Sequence, residues 1–184
     1  MFTANQMYIH KFPSMSSKTL EKITPQEWGV RESVDTLKRE AKNEVPKYEG
    51  SADEWFEANK VVEDGTELLK VEDYIGRVWQ MAKAAFVTHS TNAVKKRGFR
   101  TEFLNAIREV AASPDEVWLA RERKDRINKV KALNNYVMVK FYKDIALAVV
   151  GKLEKSKLTL KSWYVLRDKA PRRGLLIRKR PKTK

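Results

Sequence analysis

The sequence predicts an α+β fold in which amino-terminal helices precede a four- to five-stranded antiparallel sheet. Three observations carry that expectation. Helix-capping signals and 3.6-residue spacing dominate before Pro114, apolar alternation of period two dominates after it, and the later segments are joined by links too short for crossover helices. With 42% hydrophobic and 10% aromatic residues in 184, the chain is able to form a packed core.

Thr24 with Glu27 has capping-box spacing, and Pro25 stands at the first helical position, so a helix runs from there toward Lys42. Pro46 and Gly50 end it. Ser51 with Glu54 starts a second, short helix through Trp55, Phe56 and Val61, which Asp64-Gly65 breaks. From Thr66 the spacing of Leu68, Leu69, Tyr74, Ile75, Val78, Trp79 and Met81 is roughly helical, with a strand over 71–78 as the alternative. TEFLNAIREVA at 101–111 puts Phe103, Leu104, Ile107 and Val110 on one stripe of a helix.

After Pro114 the period changes. EVWLA reads as a short strand, and RERKDRINKVK, with six basic and two acidic residues, as a solvated loop or helix. NNYVMVKFYKD, IALAVVG, LTLKSWYV and GLLIRK follow as strands. The tail RKRPKTK is expected to be disordered. Residues 1–65 thus form a mainly helical amino-terminal region, 66–178 the principal domain and 179–184 a basic tail. No internal repeat is visible.

Charge divides the chain at a similar place. Residues 1–85 carry 12 basic and 15 acidic side chains, whereas 86–184 carry 26 and 9, net +17. That asymmetry predicts a polyanionic partner for the second half. Zero cysteines exclude disulfides, thiol nucleophiles and cysteine-bound zinc, and two histidines, His10 and His89, exclude a histidine-rich metal site. No apolar run reaches 18 residues, and MFTANQMYIHKFPS lacks the start of a signal peptide, so a soluble cytoplasmic chain without membrane contact is expected. The absence of GxGxxG argues against a nucleotide transferase, and the absence of paired carboxylates near His89 against a magnesium-dependent nuclease.

Alternation on the strand at 136–142 puts Val137, Val139 and Phe141 on a core face and Tyr136, Met138, Lys140 and Tyr142 on the other. The second set suits nucleotide stacking or an ordinary solvated face. IALAVVG, apolar on both faces, belongs at the centre of the sheet. In LTLKSWYV strict alternation groups Leu158, Leu160 and Ser162 against Thr159, Lys161 and Trp163, so the wet face would hold Lys140, Lys161, Tyr142 and Trp163. Arg172 and Arg173 form a pair suited to clamping phosphate. His89 lies in Thr88-His89-Ser90-Thr91, followed by Lys95, Lys96 and Arg97; it is either a proton carrier or a structural residue.

FVTHSTNAVKKRG at 86–98, SPDEVWL at 113–119, YVMVKFYKD at 136–144, LTLKSWYVL at 158–166 and RRGLLI at 172–177 together resemble one family. It is the phage-associated nuclease and toxin domains of the barnase/EndoU/colicin/RelE superfamily, matched over about 66–184. The resemblance implies helices followed by an antiparallel sheet and RNA cleavage without metal or cofactor. In that chemistry the ribose 2′-hydroxyl attacks its own phosphodiester, leaving a cyclic phosphate and a 5′-hydroxyl.

On this resemblance His89 is the acid/base residue, Tyr142 or Lys140 the second proton carrier, and Arg173 with Lys140 stabilises the phosphorane. Ser162, standing where the family pattern has threonine, and Ser90 orient phosphate oxygens. Lys95, Lys96, Arg97, Tyr136, Lys161, Trp163 and Arg172 hold the RNA, with tRNA the candidate substrate. Ser162 and Trp163 reach one site only if a bulge intervenes. The expected role is a toxin or effector acting in the cytoplasm, its own or a target cell's, with an acidic inhibitor protein as partner. The alternative is a phage- or ribosome-associated module that binds nucleic acid without cleaving it.

Overall fold

The structure, a computed structural model, describes residues 15–16, 34–96, 101–120, 132–133, 135–154, 157–167, 172 and 174–179. The helix expected over 24–42 falls partly outside these residues; what is described of it is α1 (Val34–Glu40). The basic stretch at 121–131 and the tail from 180 onward also lie outside the described residues.

Ser51 caps α2 (Ala52–Asn59) as a full capping box. Its hydroxyl accepts the Glu54 N–H, while the Glu54 carboxylate accepts the Ser51 N–H at 3.0 Å. The helix stops at Asn59 instead of reaching Val61, because the β-branched pair Val61-Val62 enters strand β2 (Lys60–Glu63). Asp64 and Gly65, with φ of 47° and 74°, make the tight turn that returns the chain as β3 (Thr66–Glu72).

The stretch read as roughly helical is a hairpin. β3 pairs with β4 (Val78–Ala82) across a turn built by Asp73, whose Oδ1 accepts the N–H groups of Ile75 and Arg77, with Gly76 at φ 82°. Within it Leu69 and Val71, then Trp79 and Met81, alternate into the core. Period two therefore overrides the helical spacing. Helix α3 (Lys83–Lys96) follows. A 3₁₀ turn (Thr101–Phe103) and α4 (Ala106–Ala112) then bury the expected stripe of Phe103, Leu104, Ile107 and Val110.

All five strands expected after Pro114 are present: β5 (Glu116–Ala120), β7 (Asn135–Phe141), β8 (Ala146–Glu154), β9 (Lys157–Leu166) and β10 (Leu175–Lys179). The sheet they join has eight strands, ordered β10-β5-β7-β8-β9-β4-β3-β2. The expectation of four to five strands is corrected because 60–82 adds three. The sheet is also not wholly antiparallel, since β4 meets β9 in parallel at Gln80 and Thr159. A separate two-residue pair links β1 (Met15–Ser16) to β6 (Ala132–Leu133).

Both faces of the sheet are covered. The inner face, with Val117, Leu119, Tyr136, Met138, Leu147, Val149, Leu160 and Trp163, packs with Trp55 and Phe56 of α2, Phe86 of α3 and Ile107 and Val110 of α4. The outer face, with Trp118, Val139, Phe141, Ala146, Ala148 and Leu166, packs with Val34 and Leu37 of α1. Residues before 66 thus contribute to both clusters.

Gly151 of β8 lies beneath the Trp79 ring, which fills the space a Cβ would need, and the Trp79 indole is fixed by its N–H donating to Asp73 Oδ2 at 2.8 Å. Gly151→Ala is expected to lower unfolding free energy by about 1–3 kcal/mol, the usual range for overpacking. Urea denaturation of the two proteins measures it.

Candidate functional site

Strand β9 carries one residue more than its partner. Val150 faces Ser162 and Gly151 faces Leu160, leaving Lys161 as the bulged residue. Leu158, Leu160 and Trp163 consequently share the inner face, while Ser162 falls on the outer face with Thr159. Strict alternation had grouped these differently. A bulge was needed for Ser162 and Trp163 to reach one site, but it falls before Ser162, so the two remain on opposite faces.

The Lys161 side chain leaves the bulge toward the outer face, where its Nζ is 3.7 Å from Glu154 Oε1. The same oxygen holds Lys152 Nζ at 2.9 Å. Lys152 is paired with Asn135 on one side and Thr159 on the other, so these three form one row across β7, β8 and β9. Sequence reasoning missed Asn135, Lys152, Thr159 and Glu154. The signal for the bulge was present, because apolar positions run 158, 160 and then 163, a slip of one in the period-two phase.

His89 reaches the same bulge from α3. Its Nε2 bonds the Lys161 carbonyl, and its ring meets Trp163 edge-on, centroids 5.8 Å apart. A carbonyl only accepts, so Nε2 carries the proton of this bond. Trp163 is itself buried against Phe86 at 5.5 Å, which fixes the wall the imidazole leans on. Ser90 is buried and donates its hydroxyl to the Phe86 carbonyl at 2.9 Å, which makes it a helix-side contact. The side chains of Lys95 and Lys96 lie outside the described residues, as does Arg97.

The expected aromatic and cationic wet face is corrected, because it is the main core. Lys140 is only 5% exposed; its Nζ donates to the Ser113 carbonyl at 2.8 Å and lies 3.6 Å from Glu109 Oε1. Tyr142 donates to Glu109 Oε2 at 3.1 Å. The Arg77 guanidinium covers the buried Tyr136 ring at 4.4 Å. These side chains have apolar bodies with polar tips, so a helix that supplies partners for the tips allows them inside. Lys140, on β7, and Tyr142, just after it, lie two strands across from the bulge and several residues along the sheet, since Lys140 faces Leu147 and Leu147 faces Val165.

Arg172, expected to hold RNA, is buried on the outer face in a bidentate pair with Glu116, Nη2 to Oε1 2.9 Å and Nε to Oε2 2.5 Å. The Trp118 indole N–H donates to the same carboxylate at 2.8 Å, and the Phe141 ring lies beneath the guanidinium at 5.2 Å. Arg173 lies outside the described residues. Among the described residues no group of three or more potential metal-binding side chains comes together, and no helix is long and apolar enough to cross a membrane.

Residues 56–179 match the model of a family described as phage-Barnase-EndoU-ColicinE5/D-RelE like nuclease2. The chain belongs to this nuclease family. The match begins inside α2 and ends at the last residue of β10, so it contains the eight-stranded sheet, the bulge and α3. Helix α1, which covers part of the outer face, lies before it. No curated protein and no solved structure matches the chain. In this nuclease domain the imidazole meets the backbone of the bulge from the inner face, while the side chains of Lys161, Lys152 and Ser162 stand on the outer face.

Two outcomes follow from the buried groups of this nuclease. Arg172→Met leaves Glu116 charged and without its guanidinium in a dry site, so unfolding free energy is expected to drop by about 3–5 kcal/mol in chemical denaturation. Burial raises the pKa of Tyr136, and burial together with the nearby Glu109 raises that of Tyr142. A raised folded pKa favours the neutral phenol, so this contribution is complete below the unfolded value of about 10 and declines as pH rises above it. Far-UV circular dichroism titrated from pH 8 upward should show alkaline unfolding that Tyr142→Phe shifts to higher pH.

Proposed function

We propose that this nuclease domain is an endoribonuclease that cleaves RNA, with tRNA the candidate substrate, by attack of the ribose 2′-hydroxyl and without metal. The observation that supports this reading is the fixed imidazole: His89 Nε2 donates to the Lys161 carbonyl, which holds the ring of the proposed acid/base residue against β9. It does so in the half of the chain where 26 basic residues face 9 acidic ones.

In the proposed reaction the His89 imidazole, as the resemblance to the family implies, takes the 2′-hydroxyl proton as the oxygen forms its bond to phosphorus. The bond from phosphorus to the 5′-oxygen breaks, and that oxygen leaves as a hydroxyl with a proton from water. A 2′,3′-cyclic phosphate remains. Lys140 and Tyr142 are withdrawn from proton transfer because Glu109 and Ser113 hold them in the core. The role proposed is that of a toxin or effector in the cytoplasm, neutralised by an acidic inhibitor protein.

A second reading is a module that binds nucleic acid without turnover. The burial of Lys140 and Tyr142 favours it, since His89 is then without the second proton carrier first assigned to it. One experiment separates the two. Purified protein is expected to cut total RNA in the presence of EDTA, leaving cyclic phosphate and 5′-hydroxyl ends. His89→Ala is expected to lower that rate by at least about 100-fold with an unchanged far-UV spectrum. Full cleavage by the variant removes His89 from the mechanism, and no cleavage by wild type leaves the binding reading.

A further inference from the structure

Trp163 stands among the residues expected to hold RNA, yet it is 1% exposed, which leaves no ring face for a base to stack on. What the indole does touch is the imidazole. Phe86 and His89, three residues apart on α3, both lie against it, with ring centroids 5.5 Å and 5.8 Å away. One ring is thus shared between the main core and the proposed acid/base residue.

The bulge at Lys161 turns Trp163 inward, and a row of rings behind it keeps it there. Phe86 stacks on Trp55 at 5.8 Å with planes 9° apart, and it meets Phe56 at 4.9 Å. The Trp55 indole N–H donates to Asn105 Oδ1 at 2.9 Å, which ties the far end of the row to the N-cap residue of α4. In a close-packed row of this kind the Trp163 ring has one position.

The hydrogen bond from Nε2 to the Lys161 carbonyl fixes one corner of the imidazole but not its plane, because the ring is able to swing about that corner. The indole stands at 62° to the imidazole, an edge-to-face contact, and blocks that swing. A proton carrier has to be aligned with the hydroxyl it serves, and misplacement by about 1 Å costs on the order of 100-fold in rate.

We propose that Trp163 is a positioning residue, whose indole sets the plane of the His89 imidazole and makes no contact with RNA. The proposal deepens the ribonuclease reading and rests on it for the reaction that the imidazole serves. Its signature is a split between the kinetic constants. A residue that orients the proton carrier changes kcat, whereas one that holds substrate equally in the ground and transition states changes KM.

The test measures cleavage of total RNA in EDTA by wild type, Trp163→Leu and Trp163→Phe. Trp163→Leu is expected to lower kcat about 10- to 100-fold at unchanged KM. Trp163→Phe, which keeps a ring against the imidazole, should stay within about 3-fold of wild type. NMR reports the contact itself. The chain has two histidines, so the His89 ring signals are assigned by their loss in His89→Ala. They are expected to show Overhauser contacts to the Trp163 ring in wild type, to lose the indole's ring-current shift in Trp163→Leu and to keep part of it in Trp163→Phe.

Unchanged kcat in Trp163→Leu overturns the proposal. So does a raised KM at unchanged kcat, which returns the indole to the substrate, or an equal loss of kcat in both variants, which marks lost packing in place of a lost ring. If Trp163→Leu does not fold, the Phe variant and the wild-type Overhauser contacts decide, and their absence overturns the proposal. Cleavage by wild type combined with any of these results leaves the ribonuclease reading standing and removes the positioning role. Absent cleavage by wild type removes that reading, and the ring signals then decide whether the indole holds the imidazole.

Discussion

The single extra residue in β9 governs how the rest of the molecule is arranged. With Lys161 bulged, Trp163 turns inward to meet Phe86 and His89, while Lys161 and Ser162 turn outward beside Lys152. Removing the slip would exchange the faces of every residue on one side of it, sending an indole to the surface and a lysine into the core. The same backbone irregularity presents the carbonyl that holds His89. One local departure from regular pairing thus serves core packing and side-chain placement together, which is the use bulges have where sheets carry function.

The sheet divides its labour by face. The inner face is apolar at its centre and tolerates Lys140, Tyr142 and Tyr136 only because Glu109, Ser113 and Arg77 meet their polar ends. The outer face is apolar where α1 lies on it and polar toward the β8–β9 end. On the β5 side of that face the Arg172–Glu116 pair, with the Trp118 indole, satisfies a charge that the surrounding aromatic rings could not. Helix α1 lies outside the family match, yet it finishes the core of the family's sheet.

Much of this was legible in the sequence, and the rest failed for identifiable reasons. The five strands after Pro114 were visible because each is a short period-two run bounded by charged or turn residues. The strands at 60–82 were obscured because Leu68-Leu69 and Tyr74-Ile75 mimic helical spacing, and the turn depends on Asp73 reaching its own backbone. Alternation sorted Tyr136, Lys140 and Tyr142 from Val137 and Val139 correctly, but it carries no information on which face helices will cover, or that both are covered. His89, Lys161 and Ser162 were named from the sequence, and the fold brings all three to the bulge. Asn135 and Lys152 were missed because their meaning lies in cross-strand register, which no single segment contains.

The meeting of β4 with β9 has a mechanical consequence. The hairpins β2-β3-β4 on one side and the run from β9 to β10 on the other are stitched by long antiparallel ladders, while between them β4 meets β9 in parallel and side chains do the rest, with Trp79 over Gly151 and against Tyr136. Helix α3 springs from β4 on one side of that seam, and the carbonyl it grips belongs to β9 on the other. The bond from imidazole to strand is thus a clasp that ties the two halves of the sheet together across their one parallel junction among the described strands.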